Sequence, residues 1–243
     1  MQLMQAELHL TCCIYFKGNT VVMQELQIPY CVLSDNFNTA KQQLQTANNF
    51  AVAEQPWPAF KSDVDVQFSI AHSGTAIALL FRVKEKAIRH VNTEINQSVW
   101  EDSCVEFFIA FDDAGYYNCE FNCIGTALVG YGSGRTNREL LPPDVVRNIS
   151  TNSSMKKEEG GYVWELLLQI PVTVFTKHTV TSLANKKAKV NVYKCGDLLP
   201  EPHFICWNKV ETTDPDFHQP DFFAPVVFDE VKATASFKET VHG

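Results

Sequence analysis

Two strand-like segments joined by a short acidic turn limit most sharply what this chain can fold into. Val99-Trp-Glu-Asp-Ser-Cys-Val-Glu-Phe-Phe-Ile109 is followed, after Phe111-Asp-Asp-Ala-Gly115, by Tyr116-Tyr-Asn-Cys-Glu-Phe-Asn-Cys-Ile-Gly125. In a strand, successive side chains point to opposite faces. Val105, Phe107 and Ile109 therefore share one face, and Asp102, Cys104 and Glu106, with Trp100 at the strand entrance, share the other. The second segment repeats the division, with Cys119, Phe121 and Cys123 alternating with Asn118, Glu120 and Asn122. One face reads as core. The other carries carboxylates, amides and an indole.

The rest of the chain follows the same grammar of short strands and turn residues. Residues 66–71 and 75–84 are joined at His72-Ser-Gly74, and further strands are expected at 127–131, 145–149, 162–170, 189–194, 204–207 and 226–229. Residues 151–161 read as a polar hairpin tip, residues 172–175 as a short helix or turn, and residues 37–48 as a short helix. Trp164 and Trp207 read as core, whereas Trp57, between two prolines, reads as a surface or edge residue. A chain of 243 residues with 45% apolar side chains can bury one sizeable core. The expected fold is all-β, a two-sheet antiparallel β-sandwich over residues 61–243. Residues 1–60 form an irregular N-terminal extension packed on it or flanking it, the whole being one structural domain.

Composition removes several classes of partner. A formal charge of −8 disfavours nucleic acid and anionic membrane surfaces, which recruit excess Lys and Arg. No apolar run approaches the ~18 residues of a membrane span. The first ten residues show no basic segment ahead of an apolar one, and the eight cysteines lack the spacing of a small disulfide scaffold. A cytoplasmic location is expected, or an extracellular or periplasmic one if the true start lies upstream.

The polar face of the 104–122 segments is suited to carbohydrate. Sugar rings pack their C–H faces on aromatic planes and direct their hydroxyls at bidentate acceptors and donors. Trp100 and Glu106, six residues apart, fall on one side of a regular strand; equally, Trp100 could close a sheet edge and Glu106 could simply be solvated. The irregular aromatic segment 212–225 reads as a functional loop or as an edge cover. An enzymatic alternative pairs Glu106 with Asp102 or Glu120 as the two carboxyls of a glycosidase. No G-x-S-x-G, glycine-rich phosphate loop or zinc-ligand spacing is present, so no metal site or cofactor is expected from the motifs.

Val-Trp-Glu-Asp-Ser-Cys-Val-Glu-Phe-Phe-Ile resembles a strand motif of family 9 carbohydrate-binding modules. Tyr116-Tyr-Asn-Cys-Glu-Phe, Trp164-Glu-Leu-Leu-Leu-Gln-Ile-Pro171, Asn191-Val-Tyr-Lys194 and the stretch from Trp207 to Phe228 follow in the family's order. Glu-Phe-Asn-Cys-Ile-Gly resembles a family-9-like group from gut Bacteroidetes. The resemblance covers about residues 60–230 and implies an immunoglobulin- or jelly-roll-like sandwich shared with DOMON-type domains. It implies non-catalytic binding of mono- and oligosaccharide ends of glucans or xylans, with a glycosidase as a possible associate. It carries sugar stacking to Trp100 and a carboxylate role to Glu106. A second stacking tryptophan is replaced by Phe217 and His218, and a sugar-gripping arginine falls near Asn122. The implied ligand-binding set is thus Trp100, Glu106, Glu120, Asn122, Phe217 and His218. The resemblance also allows for calcium, as in the xylanase-attached modules, but places it on no particular residues here. Haem-binding relatives exist in the same superfamily, but four methionines, two of them among the first four residues, supply poor axial ligands.

Overall fold

The strands 104–110 and 116–122 pair antiparallel, with Val105 opposite Phe121 and Glu106 opposite Glu120. The computed structural model describes residues 15–17, 20–22 and 25–231. In chain order, β1 (Tyr15–Lys17) and β2 (Thr20–Val22) form a small hairpin, followed by β3 (Leu26–Ile28), helix α1 (Phe37–Ala47) and β4 (Phe50–Ala51). A long hairpin comes next, β5 (Asp65–His72) with β6 (Ala76–Glu85), and then β7 (Cys104–Ala110), β8 (Tyr116–Asn122) and β9 (Ala127–Gly132). The remainder is β10 (Glu139–Leu140), α2 (Pro143–Val146), β11 (Ser150–Glu158), β12 (Gly161–Pro171), β13 (Lys187–Cys195), β14 (Phe204–Cys206) and β15 (Ala224–Phe228).

Two sheets face each other as a sandwich. One runs β10-β9-β8-β7-β13-β15-β3 with β14 also on β13; the other runs β11-β12-β6-β5-β4. Among the described strands, every pair is antiparallel except β15 with β3, and an isolated parallel bridge joins Tyr30 to His72. The inner faces meet in one core, with Val105, Phe107, Ile109, Cys119 and Phe121 from the first sheet against Phe68, Leu79, Phe81, Trp164 and Leu166 from the second. Each such side chain contributes roughly 1.5–3 kcal/mol by leaving water. At one end of this core Lys194, fully buried, spans the two sheets to Glu85 Oε2 at 3.0 Å, and Trp164 Nε1 donates to Glu85 Oε1 at 2.6 Å. Outside the second sheet, α1 covers Ala71, Ala78, Leu80 and Leu167 with Ala40 and Leu44, its start capped by Asn36 Oδ1 accepting from Thr39 N.

The outer face of the first sheet is also covered, by a second aromatic cluster of Trp57, Phe108, Tyr116, Tyr193, Phe217 and Phe223. Every residue of β7 and β8 is consequently buried, so a merely solvated Glu106 is excluded. Trp57 is 3% exposed and donates Nε1–H to Thr212 O, contrary to the surface role read from its flanking prolines. Residues 143–146 form a helical turn rather than a strand, because Pro143 sits at its first position, where a missing N–H costs nothing. The polar stretch 150–158 is an exposed edge strand on β12, longer than a hairpin tip. Residues 26–28 and 50–51, placed in an N-terminal extension by sequence, are strands of the two main sheets.

Candidate functional site: a carboxylate-floored pocket on the outer face

The second aromatic layer does not close completely over the sheet. Between β7, β8, the loop after β9 and the 204–218 segment lies a cavity of about 370 Å³, a size suited to a small ligand. Its floor is Glu106 and Glu120, register partners on adjacent strands and each 4% exposed. Strand parity brings them together, and the aromatic cover keeps them dry.

The floor is held unequally. Glu120 Oε1 accepts from Asn118 Nδ2 at 2.8 Å, whereas Glu120 Oε2 is buried without a hydrogen-bond partner. Asn118 Oδ1 in turn accepts from Arg138 Nε at 2.9 Å and Nη2 at 2.7 Å, and the Arg138 guanidinium lies 4.3 Å over the Tyr116 ring. Gly130 makes room for this contact, since a Cβ there would stand 2.8 Å from Asn118 Oδ1. Burial, then the neighbouring Cys195 thiol and Glu120, push the Glu106 carboxyl well above its usual range. Burial raises Glu120 to about 7, against the pull of Asn118 and Arg138. At the rim, burial raises Asp197 to about 6, with Arg135 opposing. The floor therefore gathers two carboxyls that burial pushes toward the neutral form, one of them with an oxygen that has no partner.

Trp100 lines the same cavity and is 37% exposed, but it stands on a 3-10 turn (Val99–Glu101) and not on the strand. Its position comes from its backbone carbonyl, which accepts from Asp197 N at 3.1 Å. His218 also lines the cavity, with Nδ1 2.9 Å from Tyr116 Oη; burial, then Arg138, lower its pKa to about 4. Phe217 reaches the cavity while its ring stacks on Tyr193 at 4.2 Å and 11° and its carbonyl accepts from Tyr193 Oη. That ring face is occupied by protein.

Two residues named from sequence lie elsewhere. Asp102 is fully buried behind the pocket and accepts from Arg89 Nη1 at 2.8 Å, Asn92 N, Val91 N and Asn122 Nδ2. Burial alone would raise the Asp102 carboxyl, but these hydrogen bonds hold it below its usual value. Asn122 is committed to Asp102, to Asn92 O and to Thr126 N, and does not line the cavity. Asp102 misses the cavity because β7 begins only at Cys104 and the chain before it turns toward Arg89; Asn122, the last residue of β8 and the register partner of Cys104, has its amide taken up by those three neighbours. Asp102 is thus removed from any catalytic pair with Glu106. Glu106 and Glu120 remain side by side on one floor.

Arg138, Arg135, Asn118 and Asp197 line the cavity and were not singled out by pattern. The available signal was Arg135-Thr-Asn-Arg138, two cations in a Gly-rich loop directly after a strand of the binding sheet, in an acidic chain.

The profile of carbohydrate-binding family 9 matches residues 36–228, about four-fifths of the chain. The chain belongs to carbohydrate-binding family 9. A solved protein of Bacteroides uniformis ATCC 8492, named for an inferred carbohydrate-binding role, is similar at 35% identity, with a TM-score of 0.78 over 85% of this chain and 99% of that one. Two structures of a family 9 module from Caldicellulosiruptor kristjanssonii, with glucose and with cellotriose, superpose at a TM-score of 0.57 and 11% identity. They cover 88% and 87% of this chain and 100% and 97% of theirs, and establish the shared sandwich. Comparison with curated proteins finds no match.

Proposed function

We propose that this family 9 protein binds mono- and oligosaccharide ends of the glucan or xylan type in the Glu106–Glu120 pocket, without transforming them. One observation carries the reading: a single cavity is lined both by Glu120, whose buried Oε2 has no hydrogen-bond partner, and by the part-exposed indole of Trp100. A buried acceptor left unpaired costs about 1–3 kcal/mol, which a ligand hydroxyl would recover. An indole beside it offers the plane that a sugar ring's C–H face packs on. Arg135 and Asp197 at the rim supply a charged donor and acceptor for further hydroxyls. The glucose and cellotriose bound by the Caldicellulosiruptor modules are sugars of this class. An associated glycosidase is the expected beneficiary, because a non-catalytic module acts by raising local concentration.

Calorimetric or tryptophan-fluorescence titration with glucose, xylose, cellobiose and xylobiose tests this. Saturable binding is expected with at least one of them, weakened roughly tenfold or more by Trp100→Ala, equivalent to ~1.4 kcal/mol. No binding at millimolar concentration, or binding indifferent to Trp100→Ala and Glu120→Gln alike, would overturn it.

A further inference from the structure

Around Glu106 of the pocket floor, two further donors converge. Cys104 and Glu106 are two residues apart on β7 and share its outer face, and Cys195 is the direct register partner of Cys104 on β13. One ligating atom from each lies within 4.8 Å of the others, and the Cys195 thiol donates to Glu106 Oε1 at 3.1 Å. All three residues are buried on central strands, so their backbones are fixed by the sheet. We propose that Cys104, Glu106 and Cys195 form a binding site for a thiophilic divalent cation of the zinc class, with one coordination position open to the pocket.

The geometry suits such an ion. Zinc takes sulfur at ~2.3 Å and carboxylate oxygen at ~2.0–2.2 Å, so donors around it lie ~3.5–4 Å apart. The present spacing needs only side-chain rotation to meet this. Two thiols with one carboxylate favour zinc over calcium or magnesium, which seek oxygen ligands in greater number. Cys195 and Glu106 line the cavity while Cys104 lies behind them, so an ion held by the three would face the cavity on its remaining side. A water or a ligand hydroxyl would complete a tetrahedron there. Glu120, whose Oε2 has no hydrogen-bond partner, lines the same cavity.

A dication would displace the two thiol protons, and any proton on Glu106, to solvent, leaving a complex of net charge about −1 beside Arg138. Cys119 and Cys123 point into the inter-sheet core, away from this cluster.

The inference stands apart from the sugar reading, and the two fail separately. The full chain, stripped with chelator, is titrated with Co²⁺ and then Zn²⁺, and each sugar titration is run with and without chelator. One equivalent of Co²⁺ is expected to produce a near-ultraviolet thiolate charge-transfer band that Zn²⁺ abolishes. The band should be lost in Cys104→Ser and Cys195→Ser, and metal affinity should fall at least tenfold in Glu106→Gln. Cys206→Ser and Cys31→Ser should leave it intact. As a check that does not depend on variants folding, Zn²⁺ should slow alkylation of Cys195 in the native wild type at least tenfold, read by peptide mass spectrometry. Absence of the band in a wild type with native circular dichroism overturns the proposal, as does a band that survives Cys104→Ser/Cys195→Ser.

Discussion

At the scale of single residues, the pocket trades stability for an open valence. Glu120 is directly opposite another buried carboxyl, and one of its oxygens has no partner. Glu120→Gln keeps the shape and the Asn118 contact while removing the buried charge. At pH 8 its unfolding free energy should rise by about 1 kcal/mol, measured by urea denaturation, because desolvating an unpaired carboxylate costs more than desolvating an amide. Sugar affinity should fall at the same time by about 1.5–3 kcal/mol, roughly ten- to hundredfold, the worth of a charged hydrogen bond. A variant that binds as well as wild type would sink the assignment of the Glu120 oxygen. Gly130→Ala tests the support behind it. A methyl 2.8 Å from Asn118 Oδ1 must displace the amide that links Glu120 to Arg138. The expected loss in calorimetry is several-fold in affinity, and an unchanged affinity would show that Arg138 does not hold the floor. The carboxylates of this pocket were legible in the sequence because strand parity alone places Glu106 and Glu120 on one face. Arg138 was not, since it arrives from a loop whose path no periodicity describes. Asp102 and Asn122 share that parity and still miss the pocket: Asp102 precedes the start of β7 at Cys104, and Asn122, at the end of β8, is bonded to Asp102, Asn92 and Thr126.

At the scale of elements, the sheets are joined by more than apolar packing. Lys194 on β13 reaches Glu85 on β6, with His203 Nε2 2.9 Å from the ammonium and the Cys195 carbonyl accepting at 2.7 Å. Lys194→Met should destabilise the protein by about 3–5 kcal/mol, since it strands a buried carboxylate. Lys194→Met/Glu85→Gln should recover a large part of that loss, and a denaturation double-mutant cycle reads the coupling. Strict additivity of the two single losses would mean that the pair does not act as a unit. Alternation assigned Lys194 a place on β13 without disclosing that it points inward. A long amphipathic side chain in a strand pattern reads as solvated unless its partner across the core is known. The same lack of long-range information hid α2, where Val145 and Val146 favour a strand locally but Pro142-Pro143 starts a helical turn. It also hid β11, whose exposed residues carry no apolar period because only one edge of it is paired. Helix α1 was legible because its cap and its apolar spacing are both local.

At the scale of the molecule, the outer aromatic layer converts one face of a sandwich into a roofed pocket, and it buries ionisable groups of opposite tendency in doing so. His218 under the roof and His203 beside Lys194 are both lowered to about 4, first by burial and then by Arg138 and Lys194 respectively. The hydrogen bonds around His203 fit a neutral ring, with Nε2 accepting from Lys194 and Nδ1 donating to Glu201 O at 2.9 Å. A histidine whose folded pKa lies below its unfolded value of ~6.5 leaves the unfolded chain binding the extra proton. Its contribution to stability is therefore complete above pH ~6.5 and disappears as pH falls toward 4. Glu120, raised to about 7, and Asp197, raised to about 6, act in the opposite direction. Their contributions are present at low pH and are lost as pH rises through those values. The slope of the wild type alone thus mixes both signs, and only differences between variants isolate one group. Wild type minus His203→Gln, in urea denaturation from pH 7.5 to 4.5, should shrink steadily below pH 6.5. The full change approaches about 3 kcal/mol by pH 4, because the folded ring titrates at about 4 and the unfolded one at ~6.5. Wild type minus His218→Gln should follow the same course, since burial and the Arg138 charge lower His218 to about 4 as well. A difference that stays constant across this range would mean that the buried rings keep their ordinary affinity for a proton. The roof over the pocket and the Lys194 junction would then be open to water in solution.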